Sequence, residues 1–210
     1  THGRVFGGQV LAQTVLAAYR TVPVDRSIHS MHGYFLRPGD VREPTTIAVD
    51  RIHDGRSFAA RRTQAYQDGV PIFSGITSFQ DDDPGLDHQS TMPSGLPDPE
   101  SLPTVAELLR DYPASRTAFW TENAFDFRHV EGPIYVDVPA PAAKQAVWIR
   151  CRRRLPDDPV LHRAIFALVS DYTLLESVLR RHDVSWVTPG LKIASLDHAM
   201  WWHRPARADE

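Results

Sequence analysis

The chain has 210 residues, of which 42% are hydrophobic and 23% charged, a composition that is typical of folded globular proteins and excludes a disordered chain. The formal net charge is −3, so no general attraction to nucleic acid or to an anionic membrane is expected. The single cysteine, Cys151, excludes an internal disulfide and a thiolate metal cluster. Since no apolar stretch reaches the roughly 18 residues of a membrane span and residues 1–4 do not resemble a signal peptide, we expect a cytoplasmic protein.

The first predicted element is a helix over about 8–19. Its apolar residues repeat at the spacing of one helical face, and no charged residue occurs in it before Arg20. A helix with almost no polar face is expected to be surrounded by other structure.

Four strand-like runs follow this helix. They are predicted over 28–36, 45–53, 56–67 and 70–79. Asp54-Gly55 and Asp68-Gly69 separate the last three runs, and Asp-Gly between such runs is a strong hairpin signal. The pattern predicts an antiparallel meander that curls over the helix and ends near Gln80.

Residues 81–124 differ in composition from the segments on either side. An acidic Pro-Gly segment opens this stretch, and four prolines follow between positions 93 and 103. Helix and strand breakers at this density predict an extended linker, with one short helix over about 105–110. We therefore divide the chain into a first unit over 1–80, a linker over 81–124 and a second unit over 125–210.

The second unit is predicted to contain strands over 125–138, 145–153 and 193–203. Between them, residues 156–159 read Pro-Asp-Asp-Pro, which is typical of a helix start, and an apolar stripe from Leu161 to Leu179 predicts a second long helix. An aromatic pair, one residue and Arg-Pro occurs at 34–38 and again at 201–205. This match is compatible both with two copies of one unit and with chance.

Asp171 places a carboxylate within the apolar stripe of the second helix. Burying an ionised carboxylate without partners is costly, so either a partner compensates it or the helix is not continuous in phase at this point. A structural carboxylate and a general base with a tuned pKa are both open interpretations.

The segment over 195–198 collects three reactive residue types. On a strand, Ser195 and Asp197 would point to one face and His198 to the other, so a self-contained catalytic triad is not expected. The chain also lacks the Gly-x-Ser-x-Gly turn of serine hydrolases, and no histidine or cysteine spacing predicts a metal site.

Two further features have open interpretations. Gly7-Gly8 precedes a helix, where backbone amides attract anions, but the complete glycine motifs of nucleotide sites are missing, and close packing of the helix on the sheet is the expected reason. Arginines at 150 and 152–154 could serve a phosphorylated ligand or a solvated edge strand.

Taken together, several ordered segments resemble the acyl-CoA thioesterase II family. They read VFGGQ at 5–9, HSMHGYFLRPGD at 29–40, DGRSF at 54–58, HQSTMP at 88–93, VWIR at 147–150 and DHAMW at 197–201. This resemblance covers nearly the whole chain. It implies an α+β double hotdog fold, with two long helices that are each wrapped by an antiparallel sheet.

The resemblance also implies a function and partners. The expected reaction is hydrolysis of medium- to long-chain acyl-CoA to free fatty acid and CoA in lipid metabolism, without a metal, a cofactor or a covalent serine intermediate. Acyl-CoA is the implied partner, together with further copies of the chain in a homo-oligomer.

By motif position, the resemblance assigns a water-activating carboxylate to Asp171 and a hydroxyl that holds the water to Ser195. Backbone amides at a helix start would stabilise the developing oxyanion, and an apolar tunnel would hold the acyl chain. A third catalytic residue, a glutamine on a late strand, is expected beyond Glu210, and a further segment is expected ahead of residue 1. We therefore expect a trimmed chain with an unclosed sheet edge.

Two alternatives stay open at this point. Without the late glutamine, the chain could be a non-catalytic acyl-CoA-binding hotdog module. A hotdog dehydratase would need a helical histidine beside an acidic residue, for which His162 is the obvious candidate, although the surrounding pattern is absent.

Overall fold

The computed structural model describes residues 3–139 and 141–210, with the exception of the side chains of residues 115 and 116. The helices are α1 (Gly7–Tyr19), α2 (Val105–Leu108), α3 (Ala114–Thr121), α4 (Pro159–Ser170) and α5 (Glu176–Arg181). The strands are β1 (Ser27–Phe35), β2 (Thr46–Asp54), β3 (Phe58–Gln67), β4 (Val70–Gln80), β5 (Phe125–His129), β6 (Val147–Cys151) and β7 (Asp197–Trp201).

These elements form two compact units, each built from separate parts of the chain. The first unit contains residues 3–86, 157–171 and 194–207, and the second contains most of the remainder. The first unit therefore includes α4 and β7. Compact units need not coincide with the two copies of a repeated fold, so the division into units over 1–80 and 125–210 stays a prediction.

The sheet of the first unit has the strand order β2-β3-β4-β1-β7, with every neighbouring pair antiparallel. The predicted hairpins between β2, β3 and β4 are confirmed. Asp68 and Gly69 both adopt positive φ in the turn between β3 and β4, the conformation that a tight hairpin requires. Strand β1 lies beside β4 instead of β2, and β7 pairs with the other edge of β1.

Helix α1 packs on this sheet and against α4. The predicted helix over 8–19 is confirmed within one residue, and its apolar composition follows from this burial, because sheet and helix cover it on different sides. The core is made of buried side chains from α1, α4 and the sheet, among them Val10, Leu11, Val15, Ile28, Phe73, Phe79 and Ala164.

In the second unit, β5 and β6 form an antiparallel pair. The strand predicted over 125–138 ends at His129, because Gly132 adopts a φ of 78° and Pro133 has no backbone N–H for a sheet. The linker contains α2, close to the predicted short helix, and also α3, which the sequence reading missed. A capping box between Thr104 and Glu107 starts α2.

The prediction of one long helix in the second half was wrong. Helix α4 starts as expected, with Pro159 in its first turn and the Asp158 side chain accepting from two backbone amides. It ends at Ser170, with Asp171 as its C-cap, and α5 begins only at Glu176. The carboxylate that interrupts the apolar stripe therefore marks a break between two helices.

Candidate active site

The structure brings Asp171 and Ser195 into direct contact. Asp171 follows the last residue of α4, and Ser195 lies two residues ahead of β7. The Ser195 hydroxyl donates a hydrogen bond to Oδ1 of Asp171 at 2.8 Å. Both residues are partly buried, so the pair is sheltered from bulk water without being sealed off from it.

The surroundings of Asp171 are shaped by the start of α1. A carboxylate at the C-terminal end of α4 faces the negative end of that helix dipole, which opposes its ionisation, whereas the N-terminal end of α1 favours a negative charge. The backbone amide of Gly8 faces the Asp171 carboxylate and lowers its pKa. The start of α1 therefore offsets part of the unfavourable field of α4.

Gly7 and Gly8 are glycines because two helix ends meet here. A Cβ on Gly8 would lie 2.2 Å from the backbone oxygen of Leu168, and a Cβ on Gly7 would lie 2.6 Å from Oδ2 of Asp171. The expectation of close packing is confirmed: the nearest partner is the end of α4, and the sheet contributes Phe35 at the end of β1. Phe35 reaches the same point, 3.0 Å from that Cβ position on Gly7, and gives the carboxylate an apolar neighbour.

Burial raises the pKa of Asp171 above the ordinary value of 3.8, while the Ser195 hydroxyl, His198 and the Gly8 amide act in the opposite direction. Desolvation is the largest of these effects because the carboxylate loses contact with water. A carboxylate with a raised pKa is a better proton acceptor, so the environment suits a general base.

Of the orientations predicted for residues 195–198, the opposite directions of Asp197 and His198 are confirmed, whereas Ser195 lies ahead of β7 and does not share the face of Asp197, because its hydroxyl contacts Asp171. Asp197 is exposed and lies 3.3 Å from Nε2 of the exposed His32, whereas His198 is buried with 5% of its surface exposed. Ser195, Asp197 and His198 therefore do not form a triad.

The sequence reading missed the contact between His198 and Ser170. Nε2 of His198 lies 3.0 Å from Oγ of Ser170, the residue directly before Asp171. Alternation along β7 places this histidine inside the unit, but only the antiparallel pairing of β7 with β1 brings it next to the end of α4.

The other candidates from the sequence are the arginines at 150 and 152–154 and the histidine at 162. Arg150 pairs with Glu100 at 2.7 Å, and Arg154 with Glu210 at 3.0 Å. These arginines, together with Arg152, Arg153 and two aspartates, line an open cavity of about 440 Å³ in the second unit. His162, the dehydratase candidate, is buried in α4.

The second unit contains a different buried carboxylate, Glu176 at the start of α5. Its Oε1 accepts from Nε1 of Trp186 at 3.0 Å, and its Oε2 lies 3.3 Å from Nε2 of His129 and also accepts from Gln145. Glu176 has no exposed surface. This carboxylate is enclosed by its partners, whereas Asp171 is not.

The comparisons with known proteins point to one family. Residues 1–80 match the family model of the acyl-CoA thioesterase N-terminal domain, and residues 126–210 match that of acyl-CoA thioesterase. The chain is 36% identical to acyl-coenzyme A thioesterase 8 of Mus musculus, over 100% of this chain and 68% of that protein.

Solved structures show the same fold. An acyl-CoA thioesterase II, TesB2, from Mycobacterium marinum is 40% identical, with a TM-score of 0.75 over 99% of this chain and 74% of that one. A hot dog protein of unknown function from Alicyclobacillus acidocaldarius has a TM-score of 0.76 over 98% of this chain and 70% of that one, at 18% identity. The predicted α+β double hotdog fold is confirmed.

Within the described residues, every helix falls short of the combined length and apolar character that a bilayer crossing requires. The matching models of both halves, the relative and the solved structures all agree on one assignment. The chain belongs to the acyl-CoA thioesterase family.

Proposed function

We propose that this chain hydrolyses acyl-CoA thioesters by activating a water molecule at Asp171 and Ser195. Thioester hydrolysis is the activity of the family to which the chain belongs, and the alternatives of a non-catalytic module and a dehydratase are not favoured. The observation that carries the mechanism is the 2.8 Å hydrogen bond from Ser195 to a carboxylate that is only partly buried.

The direction of this hydrogen bond defines what Ser195 does. Its hydroxyl proton is committed to Asp171, so its oxygen is free to accept a hydrogen bond from a water molecule. Asp171 accepts the second hydrogen of that water. The water oxygen then points a lone pair toward the thioester carbonyl carbon, and positioning of this kind lowers the barrier to attack.

The reaction proceeds through a tetrahedral intermediate. The water oxygen bonds to the carbonyl carbon while its proton passes to Asp171, and the carbonyl oxygen takes a negative charge that backbone amide donors stabilise. Collapse of the intermediate breaks the carbon–sulfur bond. The CoA thiolate takes the proton from Asp171, which returns to its ionised state, and the products are a fatty acid and free CoA.

We also propose a medium- to long-chain acyl group as the substrate. Phe35 lies beside Gly7 and Asp171, and its ring packs on Phe73 with centroids 5.3 Å apart. An aromatic wall next to the reacting carboxylate binds an acyl chain by burial of apolar surface and keeps bulk water away from the general base.

The test is the release of free CoA thiol from a series of acyl-CoA substrates. Asp171→Asn is expected to lower kcat by roughly 10²- to 10⁴-fold, the contribution of a positioned base, and Ser195→Ala by less. Asp50→Asn, at an exposed carboxylate of β2, is the matched control and should keep full turnover. Full turnover by Asp171→Asn would refute the mechanism.

A homo-oligomer is the proposed assembly. Tyr34, Ile76 and Trp201 are each more than half exposed. They lie on one face of the first sheet, because Ile76 is opposite His32 and Trp201 is opposite Ser30, and these two positions of β1 alternate with the same face as Tyr34. Apolar residues grouped on a sheet face favour association. Trp201→Asp should reduce the molar mass measured by light scattering if this face joins two copies.

The cytoplasm is the compartment that we propose. Cys151 is buried and not in a disulfide, as is usual for proteins of reducing compartments. Fractionation of the source cells, with detection of the protein by an antibody, tests this proposal.

A further inference from the structure

The contact between His198 and Ser170 has a defined direction. The Ser170 hydroxyl lies 3.0 Å from the backbone oxygen of Ala167 and 3.0 Å from Nε2 of His198. A hydroxyl has a single proton, and the carbonyl oxygen of Ala167 can only accept. Ser170 therefore donates to Ala167 and accepts from the N–H at Nε2 of His198.

This arrangement leaves the other ring nitrogen of His198 without a proton. Nδ1 is buried and has no hydrogen-bond partner among the described residues. An unpaired buried acceptor costs free energy that an apolar side chain of similar size would avoid. The imidazole therefore does not serve packing alone, and its productive contact is the one that Nε2 makes.

The partner of that nitrogen is adjacent to the proposed general base. Ser170 is the last residue of α4, and the Asp171 backbone is the C-cap of the same helix. The contact between His198 of β7 and the Ser170 side chain restrains the last turn of α4. The conformation of this turn sets the direction in which the Asp171 side chain points. The same strand follows Ser195, so His198 ties both members of the pair to one element.

Burial favours the uncharged form of the His198 imidazole. Burial lowers the pKa of His198 below 6.5, whereas Asp171 and Asp197 act in the opposite direction. A neutral ring has the single N–H that the contact with Ser170 requires.

We infer that His198 is a positioning residue for thioester hydrolysis: its Nε2–H holds Ser170 and thereby the aim of the Asp171 carboxylate toward the attacking water. This inference rests on the proposed function of Asp171. His198 itself neither accepts the proton of the water nor contacts the acyl group.

The experiment measures kcat, KM and thermal unfolding for variants that remove or replace this donor. His198→Leu is expected to lower kcat roughly ten- to hundred-fold, as misplacement of a catalytic group does, with KM unchanged and the melting temperature not reduced. His198→Gln keeps an N–H near the position of Nε2 and should recover kcat to within a few fold of the wild type. His53→Ala, at an exposed histidine of β2, is the matched control.

Ser170→Ala provides an independent arm because it leaves the imidazole in place. It should lower kcat as His198→Leu does, and the double variant should be no slower than the slower single variant, since both remove the same contact. If His198→Leu fails to fold, Ser170→Ala decides the matter. Wild-type kcat in Ser170→Ala, independent multiplicative losses in the double variant, or failure of His198→Gln to recover activity would each overturn the inference.

The experiments distinguish a failure of this inference from a failure of the proposed function. Full turnover by Asp171→Asn would refute the water-activation mechanism and with it any positioning role. A strong dependence on Asp171 together with wild-type kcat in Ser170→Ala would overturn only the role of His198.

Discussion

Asp171 and Glu176 are two carboxylates that lie five positions apart in the sequence and have very different surroundings. Glu176 has no exposed surface, and its two oxygens contact Trp186, His129 and Gln145. Asp171 is partly buried, and Oδ1 accepts from Ser195. The Glu176 carboxylate is enclosed by protein donors, whereas the Asp171 carboxylate retains acceptor capacity for another molecule.

The difference shows that burial of an acidic residue does not by itself mark an active site. Gln145 donates to Glu176 and accepts from Nε of the buried Arg180 at 3.1 Å, so its side-chain amide bridges the buried carboxylate and the buried guanidinium. Such a network specifies packing. A catalytic base needs instead an incomplete set of donors, so that the remaining lone pairs can act on water.

The largest expected effect on stability is that of Glu176→Ala. The substitution leaves the polar groups of His129, Gln145 and Trp186 buried without their acceptor, and breaking such a network costs roughly 3 to 5 kcal/mol. Urea unfolding measures this loss, with Asp111→Ala, an exposed acid of the second unit, as the control. A loss below about 1 kcal/mol would mean that the network does not stabilise the fold.

Gly8→Ala should destabilise the first unit by about 1 to 3 kcal/mol, because its Cβ would overlap the fixed backbone of Leu168. Gly7→Ala should cost less stability but lower kcat, since its Cβ would meet the movable carboxylate of Asp171. Gly85→Ala is the control, as no atom lies within 4 Å of its Cβ position. Equal effects of all three substitutions on unfolding and kcat would contradict the close approach of α1 and α4.

Asp171→Asn should not destabilise the protein at neutral pH. Because burial raises the pKa of Asp171 above 3.8, the folded state holds this proton more tightly than the unfolded state, and the stability of the wild type falls as pH rises from 3.8 through the folded pKa. Asparagine avoids that cost. Urea unfolding at pH 4 and pH 7 should therefore favour the variant more at pH 7, and a destabilisation that is larger at pH 7 would contradict the prediction.

The smallest effect concerns the pH dependence of turnover. kcat/KM should rise with pH as Asp171 ionises, with an apparent pKa above 3.8, the ordinary value for aspartate. Ser195→Ala removes a donor that favours the ionised form, so the residual activity should rise at higher pH than in the wild type. Glu176→Gln provides the comparison and should leave the rise of kcat/KM at the same pH as in the wild type. A shift of this rise to lower pH in Ser195→Ala would contradict the assigned hydrogen bond.

Local sequence patterns were sufficient to predict the elements of the first half of the chain. Alternation and Asp-Gly turns predicted β2, β3 and β4, and the uninterrupted apolar face predicted α1, because hydrophobic periodicity and turn conformation depend on neighbours in the chain. The continuous helix through Asp171 was wrong for the same reason. The apolar stripe resumes after residues 171–175, and periodicity does not report the intervening turn.

The sequence by itself determined α1 and the strands β1 to β4, and its motifs identified the family and, through it, Asp171 and Ser195 as candidates. Only the tertiary structure decided that β7 pairs with β1, that the start of α1 meets the end of α4, and that His198 reaches Ser170. These contacts join residues that are distant along the chain. Their formation depends on the packing of whole elements against one another, which no local pattern encodes.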